Sequence, residues 1–499
     1  MQKQFCSIAV VACFLGAVGG TAPVRAQSTV TAFVRFNVVP MTRDTVLSDH
    51  TVLVAEGRIT AVGPSKTLQV PRGASRVDGG RRQFILPALA DMHTHATNAR
   101  DLALYASHGV LTILNLGWSP DAFVATERVR YNSGELFGPT ILEGKRMNWP
   151  YGRTSGIATV AQARDTVRWA KRIGYDFIKV YAFLADTVFD AIMQEAQASG
   201  ITAIGHQTNG IGLERAFRSG LKMVVHAEEL RPSMAGLISA ERADSLARLF
   251  REFGVWLTPT LTTFQAITNT WGNPTRLDQY MNEGVAAHMS DATIASWRRG
   301  NYHTQTGSVG DRLSSYTEVT RRLHEAGIPM LAGTDGPGIP GMIPGVAIHD
   351  ELRVLQSIGM TSFQALATAT SNAGRFIATY VPRATPFGTI SAGARADLII
   401  TSANPLQKLD VLRTPTAVVR LGRVYAARQL DSIRMTGARQ ARRRTSARRR
   451  PAPTQPATLR STWPALVARP DRVGRTPRRA TPEPSRAPFR LLPSRSSSV

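Results

Sequence analysis

The chain has 499 residues, 43% of them hydrophobic. That is enough for a sizeable core in one large or two smaller domains. A formal net charge of +25 first suggests a polyanion binder, but 17 arginines against two acids lie between Arg434 and the C-terminus, so the excess is mostly a property of the tail. Both cysteines, Cys6 and Cys13, fall at the very start, which excludes thiol ligands, a thiol nucleophile and a disulfide scaffold from the rest of the chain.

In chain order, Lys3, an apolar stretch over 5–20 and the small-x-small string Val24-Arg25-Ala26 read as a secretory signal peptide over residues 1–26. The expected location is then periplasmic or secreted, with no membrane span once the leader is cleaved, because the apolar run is short for a span. Val30–Val39, Thr51–Glu56 and Arg58–Val62 are β-like pieces broken by Glu56-Gly57 and Val62-Gly63-Pro64. Residues 27–86 are therefore expected to form the first part of a small β-sandwich. Over 87–380, short apolar strands alternate with amphipathic helices, the texture of parallel β/α units. Eight strands can be counted: Ile85–His93, Val110–Leu116, Thr140–Glu143, Phe177–Phe183, Thr202–His206, Lys222–His226, Val255–Thr260 and Pro329–Thr334. Helices are expected at Ala161–Ile173 and Thr187–Ala198, stopped by Gly174 and Gly200. Eight such repeats fit an α/β TIM barrel, with a doubly wound sheet as the alternative. Residues 381–431 return to β texture and should complete the sandwich. The tail over 432–499 is rich in Arg, Pro, Ala, Ser and Thr, shows no apolar period and is expected to be disordered.

The chemistry-bearing residues fall at the ends of these strands. His93 and His95, two apart on one strand, project to the same face and can grip one cation. Lys179, His206, His226 and Asp335 follow at the ends of later strands, where a TIM barrel places its reactive groups. Neutral imidazoles and carboxylates suit zinc-like ions. Taken singly, His206 reads first as a hydrogen-bonded core histidine, while His226 could equally be structural and Asp335 a helix N-cap. Lys179 stands apart, since burying its ammonium between Ile178 and Val180 is costly unless it is paired or chemically altered. No G-x-S-x-G elbow offers another nucleophile.

The strings LPALADMHTH, FIKVY, GHQTNG, VVHAEEL, GTDGPG and FGTISAGARADLII, in that order, resemble the amidohydrolase superfamily, in its binuclear branch with a carboxylated lysine. The likeness runs from about residue 30 to 430 and is closest to imidazolonepropionase-related and prolidase-like members. It implies that His93, His95 and Asp335 hold one divalent ion, that His206 and His226 hold a second, and that N6-carboxylated Lys179 bridges them, with zinc the expected metal. Deaminase-like members carry a glutamate where this chain has Asn209, which disfavours a mononuclear deaminase. The implied reaction is amide hydrolysis through an activated water, with Asp335 as general base and then acid.

Tyr181 shares the barrel interior with Lys179 and reads either as a hydrogen-bond donor to substrate or as packing. His349 reads as a substrate-binding residue or, with Glu351, as a helix start. Residues 262–327, with Trp271, Tyr280, His288, Trp297, Tyr302 and His303, suggest a lid or a packed insert, and Arg153 or Arg231 could pair with a substrate carboxylate. The expected substrate is a dipeptide or N-acyl amino acid. Lactonase, esterase or aromatic amidase activity is the enzymatic alternative. Polyanion binding through Arg442-Arg443-Arg444 and Arg448-Arg449-Arg450 is the non-enzymatic one, although no specific nucleic-acid motif accompanies those arginines. A homo-oligomer is left open.

Overall fold

The computed structural model describes residues 30–150, 156–230, 238–282, 284, 286 and 289–436. The signal peptide expected over 1–26, Arg153, Arg231, His288 and the tail beyond 436 lie outside the described residues. Among those described, no helix is long and apolar enough to cross a membrane.

Segments before and after the barrel build one sheet. Thr31–Val38, Leu47–Ala55, Arg58–Pro64, Ser75–Asp78 and Phe84–Pro87 join Leu398–Thr401, Ala417–Arg420 and Arg423–Ala426 in an eight-stranded hydrogen-bonded network. The seam is antiparallel, from Leu398 opposite Pro87 to Thr401 opposite Phe84. Phe36, Val52, Ile85, Leu398 and Val419 form its core. Arg395 and Arg420 hold Asp397 at 2.5 and 3.1 Å, all three buried. Arg395 also reaches the Thr112 hydroxyl, so the ion cluster ties this sheet to the barrel, and each buried charge has its partner.

The second sheet is a parallel run of seven strands: Leu89–Thr94, Val110–Leu116, Thr140–Met147, Phe177–Val180, Thr202–Gly205, Met223–Val225 and Trp256–Thr258. An eighth segment closes the ring. The Leu257 amide donates to the Pro329 carbonyl, the Leu331 amide to Leu257, the Met92 amide to Ala332 and the Asp335 amide to His93. The barrel is therefore the expected TIM type. Asp91 ties this last segment to the first strand: its carboxylate accepts from the Thr334 amide at 3.0 Å and the Thr334 hydroxyl at 2.6 Å. Burial pushes the Asp91 carboxyl up to about 7. Inward-facing Ala90, Met92, Leu114, Leu142, Phe177, Ile204, Met223 and Leu331 fill the barrel, with Phe376 and Ile377 packed against them. That leaves the C-terminal ends of the strands for polar groups.

Several boundaries differ from the sequence reading; the third barrel strand runs to Met147 rather than Glu143, and the fourth stops at Val180 rather than Phe183. The first predicted strand, Ile85–His93, is two strands. Pro87, with no amide proton to extend a ladder, ends the segment belonging to the outer sheet, and Leu89–Thr94 begins anew beside Val110–Leu116. The folded part also continues past 432, where disorder was expected. A helix runs over 427–436 with Leu430 fully buried. Arg100 donates to the carbonyls of Ile433 and Arg434, and the Arg434 guanidinium donates to Ser107. The predicted helices appear as Val160–Ile173 and Asp186–Ala198. The first has a Thr159/Gln162 capping box and ends at Gly174 in the left-handed region, as its terminal residues require. Among the described residues, the stretch 262–327 holds four α-helices, Leu261–Thr270, Pro274–Asn282, Asp291–Arg299 and Gly310–Glu325, and a short 3-10 helix, Tyr302–Thr304. Trp297 and Tyr280 are core residues there, which favours packing over a substrate-facing role for them.

Candidate metal centre at the barrel mouth

Each candidate ligand is carried by the end of a barrel strand, and the structure brings all six together. The His95 and His93 Nε2 atoms lie 2.8 and 3.3 Å from Asp335 Oδ1. The His93 and His226 rings are 4.6 Å apart, His206 and His226 5.0 Å, and His206 and Tyr181 4.8 Å. The Lys179 Nζ lies 5.3 Å above the Tyr181 ring. Close approach of strands one, seven and eight depends on Gly333. A Cβ there would sit 2.6 Å from Thr258 Cγ2 and 2.9 Å from His93 Cβ. His226, Thr260 and Asp335 all have positive φ, at 72°, 52° and 52°. Such backbone is uncommon outside glycine and tends to cluster at functional sites.

The outer contacts of the imidazoles carry as much information as the inner ones. His206 Nδ1 meets Glu229 Oε1 at 2.5 Å, His226 Nδ1 meets Thr260 Oγ1 at 2.8 Å, and His95 Nδ1 faces the Gly117 carbonyl at 3.4 Å. A neutral ring donating through Nδ1 presents its Nε2 lone pair inward, the usual arrangement behind a metal-binding histidine. Burial, reinforced by the nearby Lys179 ammonium, holds the His93 and His206 imidazoles well below their ordinary range, and burial does the same to His226. Burial opposes ionisation of Asp335, but the His95 hydrogen bond and the neighbouring positive groups hold its carboxyl below the usual value. Burial pulls the Lys179 ammonium down to about 7 against the attraction of Asp335 and Glu229. Its Nζ has no hydrogen-bond partner, and neither has His93 Nδ1. A buried lysine amine without a hydrogen-bond partner, three inward lone pairs and one carboxylate make a donor set suited to cations.

Two tighter groups of possible ligand atoms stand out. His93, His226 and Asp335 form one cluster, and His206, Glu228 and Glu229 another, each with ligand atoms within 4.8 Å of one another. Glu228 and Glu229 were not singled out from VVHAEEL. Burial raises both carboxyls, that of Glu229 to about 8. Asp91 and Thr260 were likewise missed, since neither lies in a metal-binding spacing. Tyr181 faces the cluster, and its hydroxyl donates to the Leu116 carbonyl at 3.3 Å. Tyr302 is within electrostatic reach of Asp335 and Glu228.

His349 does not join the site. It sits in the first turn of the helix Ala347–Ser357, its Nε2 against the His108 carbonyl at 3.3 Å. Its charged neighbours are Arg413, Arg434 and Asp410. The expectation of substrate binding there is corrected to an outer-layer packing role. Glu351 caps a neighbouring helix, accepting from the Leu261 and Thr262 amides at 3.2 and 2.7 Å. Burial first, then Arg413, pushes the His349 imidazole down to about 3. The unfolded chain takes up a proton near pH 6.5 while the folded one does not, so this group's contribution is complete above that pH and is lost as pH falls towards 3. Between pH 7 and pH 5, urea unfolding of wild type is expected to lose about 2 kcal/mol more stability than His349→Gln. Parallel losses in the two proteins would contradict this.

The sequence profile of the Amidohydrolase family matches residues 163–425, more than half of the chain. Lys179, His206, His226 and Asp335 lie inside that span. An uncharacterised protein of Mycobacterium tuberculosis is 25% identical over 410 residues, covering 76% of this chain and 94% of its own. Among solved structures, a bottromycin amidohydrolase superposes with a TM-score of 0.66 at 21% identity over 83% of this chain and 91% of its own. A Xaa-Pro dipeptidase with methionine bound in its active site gives 0.62 at 18% identity over 80% and 100%. An ochratoxinase of A. niger gives 0.59 at 18% identity over 80% and 96%. Their likeness is one of fold. The family match over most of the barrel, and the buried histidine, lysine and aspartate cluster at its mouth, make this chain a member of the amidohydrolase family, a hydrolase acting on carbon–nitrogen bonds.

Proposed function

We propose that the protein is an exported, metal-dependent enzyme that cleaves the amide bond of a dipeptide or N-acyl amino acid. The observation carrying this reading is the arrangement of His95, His206 and His226, each held at Nδ1 by a protein acceptor so that Nε2 turns towards Asp335 and the unpartnered Lys179 amine. With His93, these groups fit two divalent ions, zinc being first choice for a nitrogen-and-oxygen donor set. Export rests on the leader pattern, and the substrate class is supported by the dipeptidase neighbour with its bound amino acid.

Lys179 would act as its carbamate. The neutral amine attacks carbon dioxide, an N–C bond forms as a C=O electron pair moves to oxygen, and one amine proton leaves to solvent. An ammonium that burial penalises thereby becomes an anionic bridge. The ion pair would supply a water made acidic near neutral pH and a Lewis acid for the scissile carbonyl. Asp335, ionised and 2.8 Å from His95 Nε2, would take the proton of that water and return it to the departing nitrogen. Tyr181, against His206, offers its phenol to the developing oxyanion. Glu229 and Thr260 keep the imidazoles oriented.

Steady-state assays of the metal-loaded protein against dipeptides, N-acyl amino acids, aromatic amides and lactones test the reading. Turnover of the first two classes is expected at a kcat/KM of about 10⁴ M⁻¹s⁻¹ or more. Turnover of lactones alone would sink it, and turnover of aromatic amides alone would move the substrate to the ochratoxinase type.

A further inference from the structure

The geometry points to Arg146 as the residue that binds the substrate's free carboxylate and so makes this mouth selective for acyl amino acids over neutral amides. This inference rests on the amide-hydrolase reading above and adds a specificity residue to it. Arg146 lies near the end of the barrel strand Thr140–Met147, in register with Lys179 on the next strand. Residues paired in a parallel ladder share a face, so both project towards the barrel interior. Gly117 makes room for the side chain. A Cβ at Gly117 would stand 3.1 Å from Arg146 Cβ and 3.5 Å from Tyr181 Oη, so the guanidinium arm and the Tyr181 phenol meet where that residue has no side chain.

The charge state around Arg146 is what sets it apart. Arg395 and Arg420 share Asp397, and Arg128 pairs with Asp176 at 2.8 Å. Among the described residues Arg146 has no carboxylate within ion-pair distance. Its Nη1 is buried without a hydrogen-bond partner, and its guanidinium instead stacks 3.8 Å from the centroid of the Trp118 ring. A half-buried guanidinium with an unmet donor is costly to maintain. Its planar fork matches a carboxylate, and stacking on an aromatic face leaves the fork's edge available. Trp118 is 42% exposed and gives an apolar wall for the side chain next to that carboxylate. A dipeptide or N-acyl amino acid with its amide at the metal centre and its carboxylate towards strand three would occupy both.

The test pairs substrates that differ only in that charge: N-acetyl-L-leucine against N-(3-methylbutyl)acetamide, and the corresponding phenylalanine pair, on full-length metal-loaded protein. Wild type is expected to favour the acids, and Arg146→Gln to lose about 10- to 100-fold in kcat/KM on the acids, mostly through KM, while changing less than about threefold on the neutral amides. Arg146→Lys should recover part of the loss. Equal slowing of acids and neutral amides by Arg146→Gln would overturn the assignment while leaving the amide-hydrolase reading standing. Calorimetric titration with free L-leucine reads the same contact without turnover. A tenfold or greater loss of affinity in Arg146→Gln supports it, and unchanged affinity overturns it. Retained, Arg146-dependent leucine binding with no amide turned over would instead defeat the proposed reaction alone.

Discussion

Replacing Lys179 with alanine is expected to remove metal and abolish hydrolysis together. Wild type should carry about two divalent ions per chain, the number that the bimetal mechanism requires, and Lys179→Ala about one or fewer. The argument is energetic. A fully buried amine with no hydrogen-bond partner is a cost to the fold unless it is converted to something the site needs, and a carbamate among four imidazoles and Asp335 is such a conversion. Metal analysis of the two proteins decides the point, with Glu229→Gln as a comparison. That variant replaces the carboxyl group that meets His206 Nδ1 with a neutral amide of similar size, so it should weaken metal binding by about 10- to 100-fold without changing the stoichiometry at saturation. Added propionate should restore part of the activity of Lys179→Ala by supplying a free carboxylate in the vacated space. A Lys179→Ala protein with full metal and full turnover would refute the bridging role.

The contrast between Lys179 and Glu229 also explains which parts of this molecule can be read from its sequence. Strand-end placement follows from a short apolar run with a polar residue at its close, so His93, His95, Lys179, His206, His226 and Asp335 could be picked out one strand at a time. Glu229 and Thr260 could not, because their role is fixed only when one loop folds back against a histidine from another strand. Asp91 was hidden inside an apolar string, where nothing local shows that its carboxylate staples strand one to Thr334, 243 positions away. Arg146 was missed because the strand was expected to end at Glu143, whereas it runs on to Met147. The helical string around His349 suggested a site residue, but its first turn faces His108 in the outer layer. At residue 432 composition misled in the other direction. Arginine content resembles disorder, yet Leu430 is buried and Arg100 holds the carbonyls of the last described turn.

Converting Asp335 to asparagine is expected to cost about 10²- to 10⁴-fold in kcat, the range for a positioned general base and acid. Asparagine suits the test because it is nearly isosteric and tolerates the left-handed backbone, φ 52°, that Asp335 adopts. Its amide oxygen keeps lone pairs that can face the cations, but it cannot take up a proton. The loss should depend on the leaving group. Amides that release a basic amine need the proton that Asp335 returns, whereas a nitrophenyl ester of the same acyl group departs as an anion and needs none. The ratio of wild-type to variant rates should therefore be at least about tenfold larger for the amide than for the ester. Asp335→Asn should also abolish the acidic limb of the kcat/KM profile that protonation of this carboxylate produces in wild type; because the folded site holds that carboxyl below its ordinary value, the wild-type limb belongs at low pH. An equal loss on amide and ester, with metal content lowered to match, would mean that Asp335 serves only to hold the cations, and the proton would then have to travel by another group at the mouth, such as Glu228 or Tyr181.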